Sequence, residues 1–169
     1  MERIIVIGCC GAGKSTFARR LHDKTGLELI HLDQLHWSPN WVESDKETMK
    51  QRVKQTVEKP KWIIDGNYGS TMDIRIEKAD TILYLDYPIW KCLWRVTKRI
   101  WQYNGKTRPD MTEGCPERWD WEFIHYVATF NLTKRKAILE RLEKVKGQKR
   151  IEVFKNDRDA EVFLNNFEV

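Results

Sequence analysis

Five short apolar runs punctuate the chain, and between them apolar positions recur every three or four residues. The runs are Ile4-Ile5-Val6-Ile7, Leu27-Glu28-Leu29-Ile30-His31, Lys61-Trp62-Ile63-Ile64-Asp65, Thr81-Ile82-Leu83-Tyr84-Leu85 and Arg150-Ile151-Glu152-Val153-Phe154. Runs this short, rich in β-branched residues, read as strands. Strands apolar on both faces that alternate with helical patterns predict a parallel sheet covered on both sides, an α/β fold of three layers. Helices are expected at about 14–24, ending near Gly26; from a capping box Ser44-Asp45-Lys46-Glu47 to about residue 58; briefly after Gly66-Asn67-Tyr68-Gly69; and from Pro88 to about residue 103. Two more are expected at about 118–130 and 132–146, and a last one capped by Asn156. Residues 104–117, with Gly105, Pro109, Gly114 and Pro116, predict a loop.

Directly after the first run stands Gly8-Cys9-Cys10-Gly11-Ala12-Gly13-Lys14-Ser15, which fits the phosphate-binding pattern G-x-x-x-x-G-K-S/T. The placement matters as much as the pattern. A strand that stops abruptly, a turn whose N–H groups converge, and a helix whose positive end faces them together form an anion site. Gly8, Gly11 and Gly13 let the main chain approach phosphate, Lys14 reaches the β- and γ-phosphates, and Ser15 offers a hydroxyl to Mg²⁺. Ala12 lies within the turn, and Thr16 is placed for the α-phosphate. The chain is therefore expected to bind ATP with Mg²⁺. A parallel sheet binds ligands beyond the carboxyl ends of its strands, where this loop, Asp33, Asp65 and Asp86 all fall.

Composition narrows the class without naming a function. At 169 residues the chain reads as one domain, residues 1–169, able to bury a core without disulfides. The net charge of +5 suits any polyanion, but lysine and arginine concentrate between Asp86 and Asp110, where no acidic residue intervenes. Cys9, Cys10, Cys92 and Cys115 have no metal-ligand spacing, and no segment approaches a membrane span, so a cytoplasmic protein with reduced thiols is expected. Of the eight tryptophans, Trp62 reads as core, while Trp37 and Trp41, in a polar and turn-rich stretch, read as pocket lining. Trp90, Trp94, Trp101 and Tyr103 recur at helical spacing with Ile89, Leu93, Val96 and Ile100, and read most simply as core.

The loop, together with Leu32-Asp33-Gln34-Leu35-His36-Trp37, Asn40-Trp41, Ile64-Asp65-Gly66-Asn67-Tyr68 and Gly105-Lys106-Thr107-Arg108-Pro109-Asp110, resembles the P-loop proteins called DNA topology modulation proteins, small relatives of adenylate kinase. That resemblance implies a nucleoside monophosphate kinase-like P-loop NTPase sandwich, a five-stranded sheet of order 2-3-1-4-5, a lid at about 104–117, and phosphoryl transfer from ATP. It places Asp65 as the acidic partner orienting Mg²⁺, against a turn-capping reading. It makes Arg95 and Arg99 lid-proximal charge stabilisers, and Arg108 a lid residue that closes on phosphate. Asp33 matches the acceptor-binding aspartate of small-metabolite kinases, against a loop-capping role, while His36 and His31 are weaker candidates. The resemblance also puts the adenine near Lys155 and Asn156.

One departure stands out. Adenylate kinases carry an acceptor-gripping arginine just after the third-strand Asp-Gly, where this chain has Asn67-Tyr68-Gly69. A hydroxyl-bearing metabolite, with Asp33 accepting its proton and Trp37 stacking on it, is the leading acceptor, and Arg52 or Arg75 keep nucleosides and nucleotides in view. The competing readings are a nucleic-acid-binding protein that uses ATP as a switch, and a plain ATPase. A small-molecule acceptor is the favoured partner over nucleic acid or membrane, and the chain is expected to be a monomer or homodimer.

Overall fold

A computed structural model describes residues 1–167. Its centre is a parallel sheet of five strands in the order β2-β5-β1-β6-β7, where β1 is Arg3–Gly8, β2 Leu29–His31, β5 Trp62–Asp65, β6 Thr81–Leu85 and β7 Arg150–Phe154. Counted among the sheet strands alone, this is 2-3-1-4-5. The labels shift because β3 (Trp37–Ser38) and β4 (Val42–Glu43) form a separate antiparallel hairpin. β1 sits in the middle, with Ile5 paired to Ile64 on one side and Ile82 on the other, and all three fully buried. Both faces of these strands need cover, which explains their near-continuous apolar sequence.

The cover comes from α1 (Lys14–Thr25), α3 (Lys46–Val57), α4 (Gly69–Lys78), α5 (Ile89–Gln102), α6 (Trp121–Phe130), α7 (Lys136–Lys144) and α8 (Asp157–Asn165), with a short α2 at Leu32–His36. Gly26 ends α1 in the left-handed conformation expected of a glycine there, at φ 67°. Asn156 caps α8 through the N–H of Asp159. At α3 the capping residue is Asp45 rather than Ser44: its carboxylate takes the N–H groups of Glu47 and Thr48. The two helices expected over 118–146 form one unbroken run, because residues Asn131–Arg135 are π-helical and join α6 to α7. No helix among the described residues is long and apolar enough to cross a membrane.

The largest departure lies on α5. Cys92, Val96 and Ile100 face the core, whereas Trp90, Trp94 and Trp101 are 72%, 59% and 82% exposed. Side chains advance about 100° per residue around a helix, so positions 90, 94 and 101 project from the side opposite Cys92. Helical spacing alone did not distinguish the two faces. Trp62 is fully buried, and Trp37 and Trp41 line a cavity, as expected.

Asp86, just beyond β6, serves the fold. Arg135, presented by the π-helical segment, forks onto both its oxygens at 2.8 Å, Lys155 joins them, and the Tyr84 hydroxyl donates at 3.1 Å. Burial alone would raise the Asp86 carboxyl, but Arg135 and Lys155 outweigh it and hold it below the usual range. Its stabilising effect is therefore complete above the unfolded carboxylate value and is lost as pH falls through the lower folded value. Asp86→Asn should cost about 1–3 kcal/mol at neutral pH. It should also flatten the acid side of the stability profile below about pH 4, as read by thermal unfolding across pH.

Candidate active site

The phosphate loop is held by backbone contacts that leave no room for side chains. A Cβ on Gly11 (φ 83°) would lie 2.3 Å from the Cys92 carbonyl oxygen of α5, and one on Gly8 would lie 2.5 Å from that of Leu85. The Gly8 peptide is further pinned by the Asn67 amide, which accepts from Gly8 N at 3.0 Å and donates to Gly8 O at 2.6 Å. Here Asn67 has a task that the sequence did not suggest. It stands where an acceptor-gripping arginine was missing, and locks the entrance of the loop instead.

Gly13 precedes α1 without any side-chain cap, so the first N–H groups of that helix remain open to an anion. Lys14 curls back to donate to the Cys9 carbonyl at 3.2 Å. Burial pulls its ammonium toward neutrality, but Cys10, Asp65 and Asp33 around it prevail and hold its pKa above the usual lysine value. It stays cationic where a triphosphate would lie. Ser15 and Thr16 follow on the first turn of α1 and line the same cavity as Gly11, Ala12 and Gly13.

Asp65 closes β5 at 4% exposure, with Oδ2 at 2.9 Å from His31 Nδ1 and Oδ1 buried without a partner. A lone acceptor of this kind near Ser15 suits a water-clad cation. Among the described residues no group of three or more His, Cys, Asp or Glu is arranged to hold a metal. A metal here would thus depend mostly on phosphate oxygens and water, as Mg²⁺ does in phosphoryl-transfer sites. Asp110, absent from the expected set, lines the same cavity as Ser15; burial opposes its ionisation, yet Arg108 and Ser15 hold its carboxyl below the usual range.

The three expected arginines separate into two groups. Arg95 bonds to Asp157 of α8 at 2.8 Å and to the Ala12 carbonyl at 3.4 Å, and lines the same cavity as the loop. Arg99 and Arg108 instead share Glu117, whose Oε1 lies 3.0 Å from Arg99 Nε, and Arg108 also holds Asp110 at 2.8 Å. Neither Nε–H is aligned on Glu117 as a hydrogen bond. Lys155 and Asn156, expected near adenine, are spent on Asp86 and on capping α8; Asp157 and Ala160 line the cavity there.

On the acceptor side, Asp33 receives the Tyr68 hydroxyl at 2.7 Å. Burial and the Asp33 carboxylate push the Tyr68 pKa up, keeping this phenol a donor. Tyr68 sits at φ 26°, a costly conformation for a non-glycine residue. Arg75 holds it there, donating to the carbonyls of Gly66 at 2.8 Å, Tyr68 at 3.1 Å, and Asn67. Arg75 is fully buried, its pKa pushed down to about 9 by burial, and faces backbone rather than ligand. Arg52 donates to the Leu35 carbonyl and to Ser44 Oγ. Both are structural here, not ligands of an acceptor phosphate.

Residues 104–117 carry no helix and only isolated bridges, the loop that their glycines and prolines predict, and they lie docked on residues 34–41. Asn40 N donates to Gly114 O at 2.9 Å, Trp41 Nε1 to Pro116 O at 3.1 Å, Thr112 Oγ1 to Trp37 O at 2.7 Å, and Gln34 Nε2 to Pro109 O at 3.3 Å. Loop, lid, Asp33, Asp65, Trp37, Trp41 and Tyr68 border one cavity of about 1250 Å³.

No family model matches the chain, and no curated protein does. Among solved structures, it is similar to an unliganded sugar kinase from Janibacter sp. HTCC2649, with 18% identity and a TM-score of 0.53 over 98% of this chain and 91% of that one. At that identity the likeness shows a shared fold. The resemblance to DNA topology modulation proteins thus rests on the motifs.

Arg75→Met would strip three carbonyls of their donor and release Tyr68. A loss of about 3 kcal/mol in denaturant unfolding is expected, with Asp33 losing its fixed partner.

Proposed function

We propose that the chain transfers the γ-phosphoryl group of ATP to a hydroxyl on a small acceptor. The observation that carries this reading is the sharing of one cavity by Lys14, at an uncapped helix terminus, and Asp33, a carboxylate bonded only by the Tyr68 hydroxyl. That the protein with the same fold is a sugar kinase supports it.

Loop amides and Lys14 hold the β- and γ-phosphates, with Arg95 on the cavity wall toward α8. Ser15 and Asp65 would hold Mg²⁺, which supplies charge neutralisation between those phosphates. Asp33 accepts the hydrogen bond of the acceptor hydroxyl and orients its oxygen toward the γ-phosphorus. As the new O–P bond forms and the bond to the ADP oxygen breaks, the hydroxyl proton passes to Asp33, leaving a phosphomonoester and ADP. Arg99 and Arg108 face charge on the transferred group. The lid excludes water that would otherwise take the phosphoryl group.

Lys14→Ala should lower both nucleotide affinity and turnover. Asp33→Asn should spare ATP affinity and depress acceptor-dependent ADP release by about 100-fold or more, the usual size of a general-base effect. Calorimetric ATP binding and a coupled ADP assay separate the two, and equal loss of ATP affinity in both variants would remove Asp33 from the acceptor site.

A second reading draws on the exposed indoles of α5, where Lys98 Nζ lies 5.1 Å from the centre of the Trp94 ring. Aromatic faces amid lysines suit stacking on single-stranded nucleic acid. On this reading, affinity for an oligonucleotide falls steeply with salt and survives Lys14→Ala; no binding at low salt, by fluorescence anisotropy, eliminates it.

A further inference from the structure

Resting on the phosphotransfer reading, we infer that the acceptor is an alcohol that also carries an ammonium group, such as an amino alcohol or amino sugar. Its hydroxyl lies on Asp33 and its cation against the aromatic wall formed by Trp37, Trp41 and Tyr68. Three features of the acceptor side lead there.

The arginines of the acceptor segments, on which an anionic acceptor would draw, are engaged by the protein itself. Arg75 is spent on the carbonyls of residues 66–68, and Arg52 on Leu35 and Ser44. Arg99 and Arg108 are balanced by Glu117 and Asp110. Lys14 belongs to the donor phosphates. A carboxylate or phosphate set against the Trp37, Trp41 and Tyr68 wall would therefore meet the Asp33 carboxylate without help from these four arginines, which is costly in a partly desolvated cavity.

A neutral polyol fares little better, because the polar groups that would read its hydroxyls are already engaged. The Asn67 amide is bound on both its atoms to Gly8. The Tyr68 hydroxyl is given to Asp33, and the Trp41 indole N–H to Pro116. Carboxylate oxygen remains, that of Asp33 beyond its one bond.

The walls themselves are aromatic. Trp37 meets Trp41 edge-on at 5.2 Å between ring centres, and His36 bridges Trp37 and Tyr68 at 4.9 and 4.8 Å. Ring faces beside the Asp33 carboxylate attract a cation and offer little to a neutral hydroxyl. The amine stays protonated and is not phosphorylated, since the bond forms on the hydroxyl oxygen held by Asp33.

The test uses matched pairs that differ only in charge: choline against 3,3-dimethylbutan-1-ol, and glucosamine against glucose. Each is titrated calorimetrically into the full chain and assayed for ADP release with ATP. The ammonium member of at least one pair should bind about ten-fold more tightly than its neutral counterpart. Trp37→Leu and Asp33→Asn should each shrink that preference while ATP affinity holds. Equal or reversed affinities within both pairs, no binding by any of the four, or tighter binding by AMP than by either amine overturns the inference. ADP release driven equally by charged and neutral acceptors overturns it while the kinase reading stands. Selective amine binding without ADP release keeps the ligand class and removes the transfer.

Discussion

The close passage of the phosphate loop against α5 and the end of β6 is the constraint on which the site depends. At Gly11 and Gly8, backbone meets backbone at distances a single methyl group would violate. The loop is consequently a fixed part of the sheet edge. Its N–H groups keep one orientation whether or not an anion is present, which is what preorganised electrostatic stabilisation requires. The Asn67 amide, clamped on the Gly8 peptide from the neighbouring strand end, extends the same rigidity to the acceptor side.

From that fixed edge follows an unusual distribution of charge. The chain is basic overall, yet the arginines around the acceptor are largely consumed by the protein itself. Arg75 buries a charge to hold one strained turn, and that turn in turn aims the Tyr68 hydroxyl at Asp33. Positive charge thus stays open at Lys14, while the surroundings of Asp33 are left with carboxylate and rings. Net charge says little about a ligand when its cations are locally neutralised.

Much of this was legible in the order of residues. Central strands buried on both faces must be apolar throughout, so β1, β5 and β6 announced themselves, and the glycine pattern after β1 placed the phosphate loop. Asn156 capped the helix it was expected to cap. Features that depend on distant partners were not legible. Asn67 acts on a peptide 59 positions away, and the docking of residues 104–117 joins segments 74 or more residues apart. The tryptophans of α5 show a different limit: a helical period reveals that a face exists without saying which neighbour covers it. At α3, Ser44 and Asp45 are adjacent capping residues of nearly equal aptitude, and local geometry rather than residue type decides between them.

The docking of the lid on the hairpin has a kinetic consequence. Two flaps that open separately allow a donor and an acceptor to come and go in any order. Here the bonds from Asn40, Trp41, Thr112 and Gln34 make a single jaw of the two segments. Whatever movement uncovers one half of the cavity would uncover the other, so two ligands held in it would share one exit event and one barrier.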